Sequence, residues 1–343
     1  QLFTVAGVSE EEIEGVDIDG AEIEFVGRSH HPIRLGDLRA NEFEVVLRSV
    51  EDTDGIDEVT DEIDEFGGVP NLFGSQRFGS RRPITHRVGE AVLADDYERA
   101  VREYLVTSFP DEPRGTREAR RRLDDGWGDE EEYADALSYY PEHLGYERAL
   151  LNSLVENADG EAGDDTTDDY REALDALPRN LKRLFVNAAQ SRLFNLVLRA
   201  RYDEGMEFDR SYPGDVVCFV DDAGYPDTDE LQEVTESNAE SVNRHVGRGR
   251  AYVTAPLLGS ESEFSGGRQG EIERGVLSRA AFELDDFDRD DEYAAEGTRR
   301  PVLVRPDIEH ETDGDDARFE FTLPKGSYAT VVLREYLKDD HVA

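Results

Sequence analysis

The stretch Asn71-Leu72-Phe73-Gly74-Ser75-Gln76-Arg77-Phe78-Gly79 gathers two amides, two phenylalanine rings, an arginine and two glycines into nine residues. Glycine at 74 and 79 permits backbone conformations and approach distances closed to other residues, so neighbouring side chains can crowd around one object. Phe73 and Phe78 offer ring faces for a base. Asn71 and Gln76 can donate and accept hydrogen bonds at once, as a base edge requires, and Arg77 can grip a phosphate with two N–H groups or stack on a ring. Taken alone, the stretch is better read as a glycine-rich turn whose two phenylalanines plug a core.

It does not stand alone. Extended back through Gly68-Val69-Pro70, it resembles the signature of the TruD family, the tRNA pseudouridine synthases D. Leu323-Pro324-Lys325-Gly326-Ser327-Tyr328-Ala329-Thr330 with Leu333-Arg334-Glu335 is similar to the family's C-terminal signature, and Gly36-Asp37-Leu38 with Asn41, Phe43 and Arg48 to an earlier one. Their order and separation fit, and the resemblance runs from Gln1 to the end of the chain. It implies an α+β fold: a pseudouridine synthase catalytic core with a mixed or antiparallel sheet, interrupted by an inserted α+β domain. The expected bounds are residues 1–96 and 299–343 for the core and 97–298 for the insertion.

The resemblance also implies roles. Asn71 falls on the asparagine that contacts the target nucleotide, Phe73 on the phenylalanine that packs against its base, and Tyr328 on an aromatic position that touches substrate. Gln76, Arg77 and Phe78 match the motif and read as support for the loop. Leu72 departs from the aromatic residue common there, and Ala40 from the glycine usual before Asn41. The implied activity is isomerisation of uridine 13 of tRNA, flipped out of its stack, with no metal or organic cofactor. The catalytic aspartate belongs to a Lys-Asp signature that the resemblance places before Gln1, so no catalytic residue is expected in this chain, which as it stands is expected to be inactive.

Composition sets the surroundings. With 343 residues, 37% of them apolar, the chain can fill two cores. The net charge is −43, and of the 38 basic residues only Lys182, Lys325 and Lys338 are lysines. That pattern suggests an extreme halophile: at molar salt the Debye length is about 3 Å, so a carboxylate coat hardly repels itself. The acidity then reports habitat rather than partner. Counterion release would add little to RNA affinity there, so stacking and hydrogen bonds must carry more of it. Cys218, in the apolar run Val216 to Val220, reads as a core thiol, because Asp215, Asp221 and Asp222 disfavour a thiolate. A single cysteine allows no internal disulfide, and no apolar run nears the ~18 residues of a membrane span. A cytoplasmic monomer is expected, with tRNA as partner and no membrane.

Along the chain, Gln1 to Val5 and Ala21 to Val26 read as strands, and Ser9-Glu10-Glu11-Glu12 as a capping box. Asn41 to Val50 alternates with Phe43, Val45 and Leu47 on one face. Ile56, Val59, Ile63 and Phe66 repeat at helical spacing up to Gly67-Gly68. A helix is predicted over Ala91 to Val106, an exposed acidic loop over Glu156 to Asp169, and a long helix over Leu177 to Arg201, entered through Pro178. On the latter, Arg179, Lys182 and Arg183 share a face that could grip phosphates, although salt pairing is favoured in so acidic a chain. Thr254 to Gly259 reads as a turn, Val302 to Val304 and Arg318 to Leu323 as strands, and Ser327 to Lys338 as a closing helix.

Other chemistries find little purchase. The seven histidines lack metal-ligand spacing, no nucleophile elbow or P-loop is present, and carboxylates are too numerous for any pair to be singled out. Without the family, Tyr328 would be an ordinary aromatic at a helix start. A non-catalytic RNA-binding or chaperone protein, or an acidic scaffold for protein partners, stays open beside the enzyme.

Overall fold

The computed structural model describes residues 3–337 other than 19, 21–22, 34–37, 51–52 and 159–165. In chain order the first elements are α1 (Glu10–Glu14), β1 (Ala40–Leu47), α2 (Gly55–Phe66), β2 (Val69–Pro70), α3 (Ser75–Phe78), α4 (Thr85–Leu93) and α5 (Tyr97–Val106). Then come α6 (Arg114–Asp125), α7 (Glu130–Tyr139), α8 (Gly145–Ala158), α9 (Thr166–Asp175), α10 (Arg179–Asp203), β3 (Val216–Val220), β4 (Pro226–Glu233), α11 (Ala239–Val246), β5 (Ala251–Leu257) and α12 (Gly267–Arg279). A 3₁₀ turn at Leu284–Phe287 leads to β6 (Thr298–Pro301), β7 (Leu303–Val304), β8 (Glu309–Asp313), β9 (Asp316–Pro324) and α13 (Ala329–Leu337). The fold is α+β, and each of its sheets is antiparallel: β1-β9-β8, β2-β7 and β4-β3-β5-β6.

The first sheet follows from alternation. Register pairs Phe43 with Phe321, Val45 with Phe319 and Leu47 with Ala317, so the apolar residues of both strands share a face. That face packs on Ile56 and Ile63 of α2 and on Val331, Val332 and Leu333 of α13, forming the smaller of two apolar cores. Gly67 ends α2 in the left-handed region at φ 85°, and Gly68 follows at φ 134°. A Cβ on Gly68 would lie 2.3 Å from the Val304 carbonyl oxygen, so only glycine lets β2 reach β7.

The larger core is built on α10, which is buried on all sides from Phe185 to Leu198 apart from Asn187, Arg192 and Leu196. Helix α4 crosses it so closely that a Cβ on Gly89 would stand 2.0 Å from the Phe185 carbonyl oxygen. Phe73, Phe78 and residues of α4 and α5 share this core with α6 to α12 and with Val302 and Leu303. Lys182 pairs with Asp175 and Glu292, both at 2.9 Å, so this member of the α10 basic trio serves salt pairing.

Several expectations need correction. Phe3 and Val5 are exposed outside any strand, as are Ile23 and Val26; Gln1, Leu2, Ala21 and Glu22 lie outside the described residues. Among the described residues no ladder pairs these segments, and an unpaired alternating segment does not hold as a strand. The helix read over Ala91 to Val106 is two helices. Asp95 turns through φ 54°, and the Asp96 carboxylate accepts from the Arg99 N–H to start α5 afresh. Thr254 to Leu257 is strand, held between β3 and β6, rather than turn. The acidic stretch from Glu156 is helix to Ala158 and again from Thr166, with residues 159–165 outside the description. Of the earlier signature, Gly36 and Asp37 are outside it too, as is Lys338, the last residue of the closing helix read from the sequence.

Candidate nucleotide-binding site

Asn71 follows the β2-β7 ribbon directly, and its amide N–H donates to the Val302 carbonyl at 2.8 Å. The side chain is buried and held through both ends of its amide. Its Nδ2 donates to the Pro301 carbonyl at 2.9 Å, while its Oδ1 accepts from Arg300 and from the Ser327 hydroxyl, the latter at 3.4 Å. Asn71 therefore ties the ribbon to the Lys325-to-Tyr328 turn, and its amide faces protein groups rather than open solvent.

Phe73 is fixed at both ends by one side chain of α10. Its N–H donates to Asn195 Oδ1 and its carbonyl accepts from Asn195 Nδ2, each at 2.9 Å. The ring sits among Phe194, edge-on at 5.7 Å, Tyr328 at 6.2 Å, and the guanidiniums of Arg300 at 4.3 Å and Arg77 at 5.5 Å. Only 4% of Phe73 is exposed, so a base cannot reach its face while Arg300 covers it. Tyr328 is half-buried at the entrance to α13, and the distant residues Asn71, Phe73 and Tyr328 do converge.

Of the loop residues, Phe78 is fully buried, with His86 edge-on at 5.1 Å. Arg77 donates from Nε to the Ser191 hydroxyl at 2.9 Å and from Nη2 to the Asn187 carbonyl at 3.4 Å, stapling α3 to α10. Gln76 does not join them. One turn of helix points positions 77 and 78 inward and leaves Ser75 and Gln76 exposed, with no hydrogen bond of the Gln76 side chain among the described residues.

Sequence reasoning missed Arg300. Its Nε donates to the Asn71 carbonyl at 3.2 Å, its Nη1 to the Gly326 carbonyl at 2.7 Å and its Nη2 to Asn71 Oδ1. Burial pulls its pKa down to about 10, with the Tyr328 hydroxyl opposing and Arg77 adding to the fall. Burial likewise lowers Arg77, against the Tyr328 hydroxyl. Nothing in an Arg-Arg-Pro string separates this arginine from the others. Cys218 is buried as read, its thiol pushed up to about 12 by burial. Among the described residues no helix is long and apolar enough to cross a membrane.

Beside this cluster opens a cavity of about 610 Å³, walled by Asn71, Arg300 and Ser327 on one side and by Arg39, Arg305 and Lys325 around it. Asp221, Asp227 and Asp229 of the β3-β4 hairpin line it as well. Asp221 is occupied in closing its turn, accepting from the N–H groups of Ala223 and Tyr225 at 2.9 and 3.0 Å. Phe73 and Tyr328 stand behind the wall rather than on it. Chemically the site can present cations and hydrogen-bond donors to an entering group, backed by aromatic rings.

A family model described as "tRNA pseudouridine synthase D (TruD)" matches residues 1–336. A relative from Natronomonas pharaonis, described as "Probable tRNA pseudouridine synthase D", is 46% identical over 94% of this chain and 73% of its own length. One of the same description from Halobacterium salinarum is 41% identical over the whole of this chain and 77% of its own. The crystal structure of a Methanosarcina mazei chain assigned to tRNA pseudouridine synthase D superposes with a TM-score of 0.82 at 39% identity, covering 97% of this chain and 76% of that one. The α+β architecture and the sequence signatures thus have one source, and the chain belongs to the TruD family of tRNA pseudouridine synthases.

Proposed function

We propose that the chain serves the isomerisation of uridine to pseudouridine in tRNA, at position 13, with Asn71, Phe73 and Tyr328 framing the extruded nucleotide. The observation that carries this reading is their convergence, from segments more than two hundred residues apart, beside a cation-lined cavity. The chemistry detaches the uracil, turns it and rejoins it through carbon, so the pocket must restrain a free base. Arg300 supplies that restraint at the wall, backed by Phe73 and Tyr328, and Asn71 fixes its guanidinium. The nucleophilic aspartate that the resemblance implies is assigned to no residue of this site. In this reading residues 1–96 and 299–343 form the catalytic core and 97–298 the insertion. Residues 73–105 share their apolar core with α10.

The test is pseudouridine mapping in a tRNA transcript incubated with the protein from its full reading frame. Modification at position 13, abolished by Phe73→Ala with tRNA binding weakened, supports the proposal. Modification elsewhere rejects the position. Binding without conversion would favour a non-catalytic RNA-binding or chaperone protein, a reading suggested by the lack, among the described residues, of a carboxylate in contact with Asn71, Phe73 or Tyr328.

A further inference from the structure

In a chain with 81 acidic residues, a buried arginine without an acidic partner needs a reason. The three arginines lining the cavity on β6 and just beyond β7 make the contrast directly. Arg299 reaches Glu273 at 3.5 Å. Arg300 and Arg305 reach only uncharged oxygens: the Asn71 and Gly326 carbonyls and the Asn71 side chain for Arg300, and the Gly67 and Val246 carbonyls for Arg305. Among the described residues neither takes part in an ion pair. Both also lie over rings, Arg300 at 4.3 Å from the Phe73 centroid and Arg305 at 5.3 Å from that of Tyr252, which orients the guanidinium planes without neutralising them.

Among the described residues their donors are not used up. A guanidinium carries five N–H groups, and Arg300 commits one from Nε, one from Nη1 and one from Nη2, keeping one on each terminal nitrogen. Arg305 commits Nε and one N–H of Nη1, leaving Nη2 whole. For Arg300, which is buried, a cation held by carbonyl oxygens alone is an unfavourable arrangement unless an anion completes it; Arg305 is half-buried, so for it the case rests on its unpaired charge and free donors. The burial that lowers the Arg300 pKa leaves it well above neutrality, so the charge is present to be met.

We propose that this cavity seats the RNA backbone, Arg300 receiving the phosphodiester next to the extruded nucleotide and Arg305 a neighbouring one. The inference rests on the functional reading above and deepens it by naming the anion and its receptors. A forked guanidinium pre-set by Asn71 and a ring takes two phosphate oxygens together, which a lysine cannot. A contact so enclosed is shielded from bulk ions, so it keeps its strength at salt concentrations that screen a surface contact.

The experiment measures binding of a synthetic tRNA arm in which each phosphodiester around the target uridine is replaced in turn by an uncharged methylphosphonate. With the unsubstituted protein, one linkage adjacent to the target should weaken binding by about ten- to a hundredfold, the range for a charged hydrogen bond. With Arg300→Gln that linkage should become neutral while the others keep their effects, and Arg300→Lys should restore only part of the loss. Arg305→Gln should silence a different, nearby linkage. A scan in which no linkage adjacent to the target stands out overturns the proposal without needing any variant. So does a pattern unchanged in Arg300→Gln, or one in which all linkages weaken together. Failure of the unsubstituted protein to bind the unmodified arm at all would instead remove the functional reading on which the inference rests.

Discussion

Arg120 and Arg300 are both buried guanidiniums, and they are held in opposite ways. Arg120, on α6, meets Glu112 at 3.0 Å and Glu147 at 2.9 Å, and Arg82 meets the same two carboxylates at 3.4 and 3.0 Å. Two arginines and two glutamates close a neutral group inside the helical body. Arg201 repeats the solution with both oxygens of Asp215, at 2.8 and 2.9 Å. Around Phe73 the cations stand on carbonyls and rings, without carboxylates among the described residues. The helical body settles its charges internally, and the ribbon region leaves them open toward a cavity.

The widest gap between the two regions should appear on truncating the closed network. Arg120→Met strands Glu112 and Glu147 with fewer partners and should destabilise the fold by about 3–5 kcal/mol, read by urea or thermal unfolding in fixed salt. Arg300→Met should lose about 1–2 kcal/mol, because the oxygens it leaves border a cavity that water can enter. Equal losses would erase the distinction between the two guanidiniums.

A sharper question is whether α10 is the common wall of both regions. Gly89→Ala forces a methyl group against the Phe185 backbone and should lose about 1–3 kcal/mol. It should also weaken RNA binding, since Asn195 and Ser191 of the same helix hold Phe73 and Arg77. Lost stability with unchanged binding would mean that the α4-α10 crossing does not set the loop's position.

The smallest effect concerns His86 beneath Phe78. Burial, with Arg192 and Arg87 nearby, lowers its pKa from 6.5 to about 4. Unfolded, the ring takes a proton near 6.5; folded, it resists until about 4. Stability contributed by the neutral ring is therefore complete above pH 6.5 and is lost as pH falls toward 4. His86→Phe, which also removes an unpartnered buried Nδ1, should flatten the stability profile in that window. A profile as steep as that of the unsubstituted protein would assign the titration elsewhere.

Much of this molecule was legible from residue order where one physical cause acts alone. The alternation of Phe43, Val45 and Leu47, and of Phe319, Phe321 and Leu323, marked both as strands without showing that they pair, and Gly67 marked the end of α2. The long apolar helix was read to within two residues at each end. Misreadings came where partners decide: residues 3–5 and 23–26 have strand periodicity and no ladder among the described residues, and Asp95 breaks a periodic helix through a conformation that periodicity does not encode. At the site, the convergence of Asn71, Phe73 and Tyr328 was anticipated from the resemblance, but the direction of the Asn71 amide was not. Arg300 was invisible because its distinction is the company it lacks, and that depends on three-dimensional neighbours.

The β2-β7 ribbon pairs Val69 with Val304 and Pro70 with Leu303, joining chain segments made far apart in time during synthesis. Helices α4 to α10 precede that closure and can begin packing on one another while the ribosome is still working, although their core is completed only by β3, β5, α12 and residues 302–303. The cluster of Asn71, Phe73, Arg300 and Tyr328 needs β6 and the segment after it, so a nascent copy not yet extended past β5 should be partly compact yet unable to assemble that cluster. A version ending before Thr298 that still captured tRNA through the Phe73 loop would contradict that order of events.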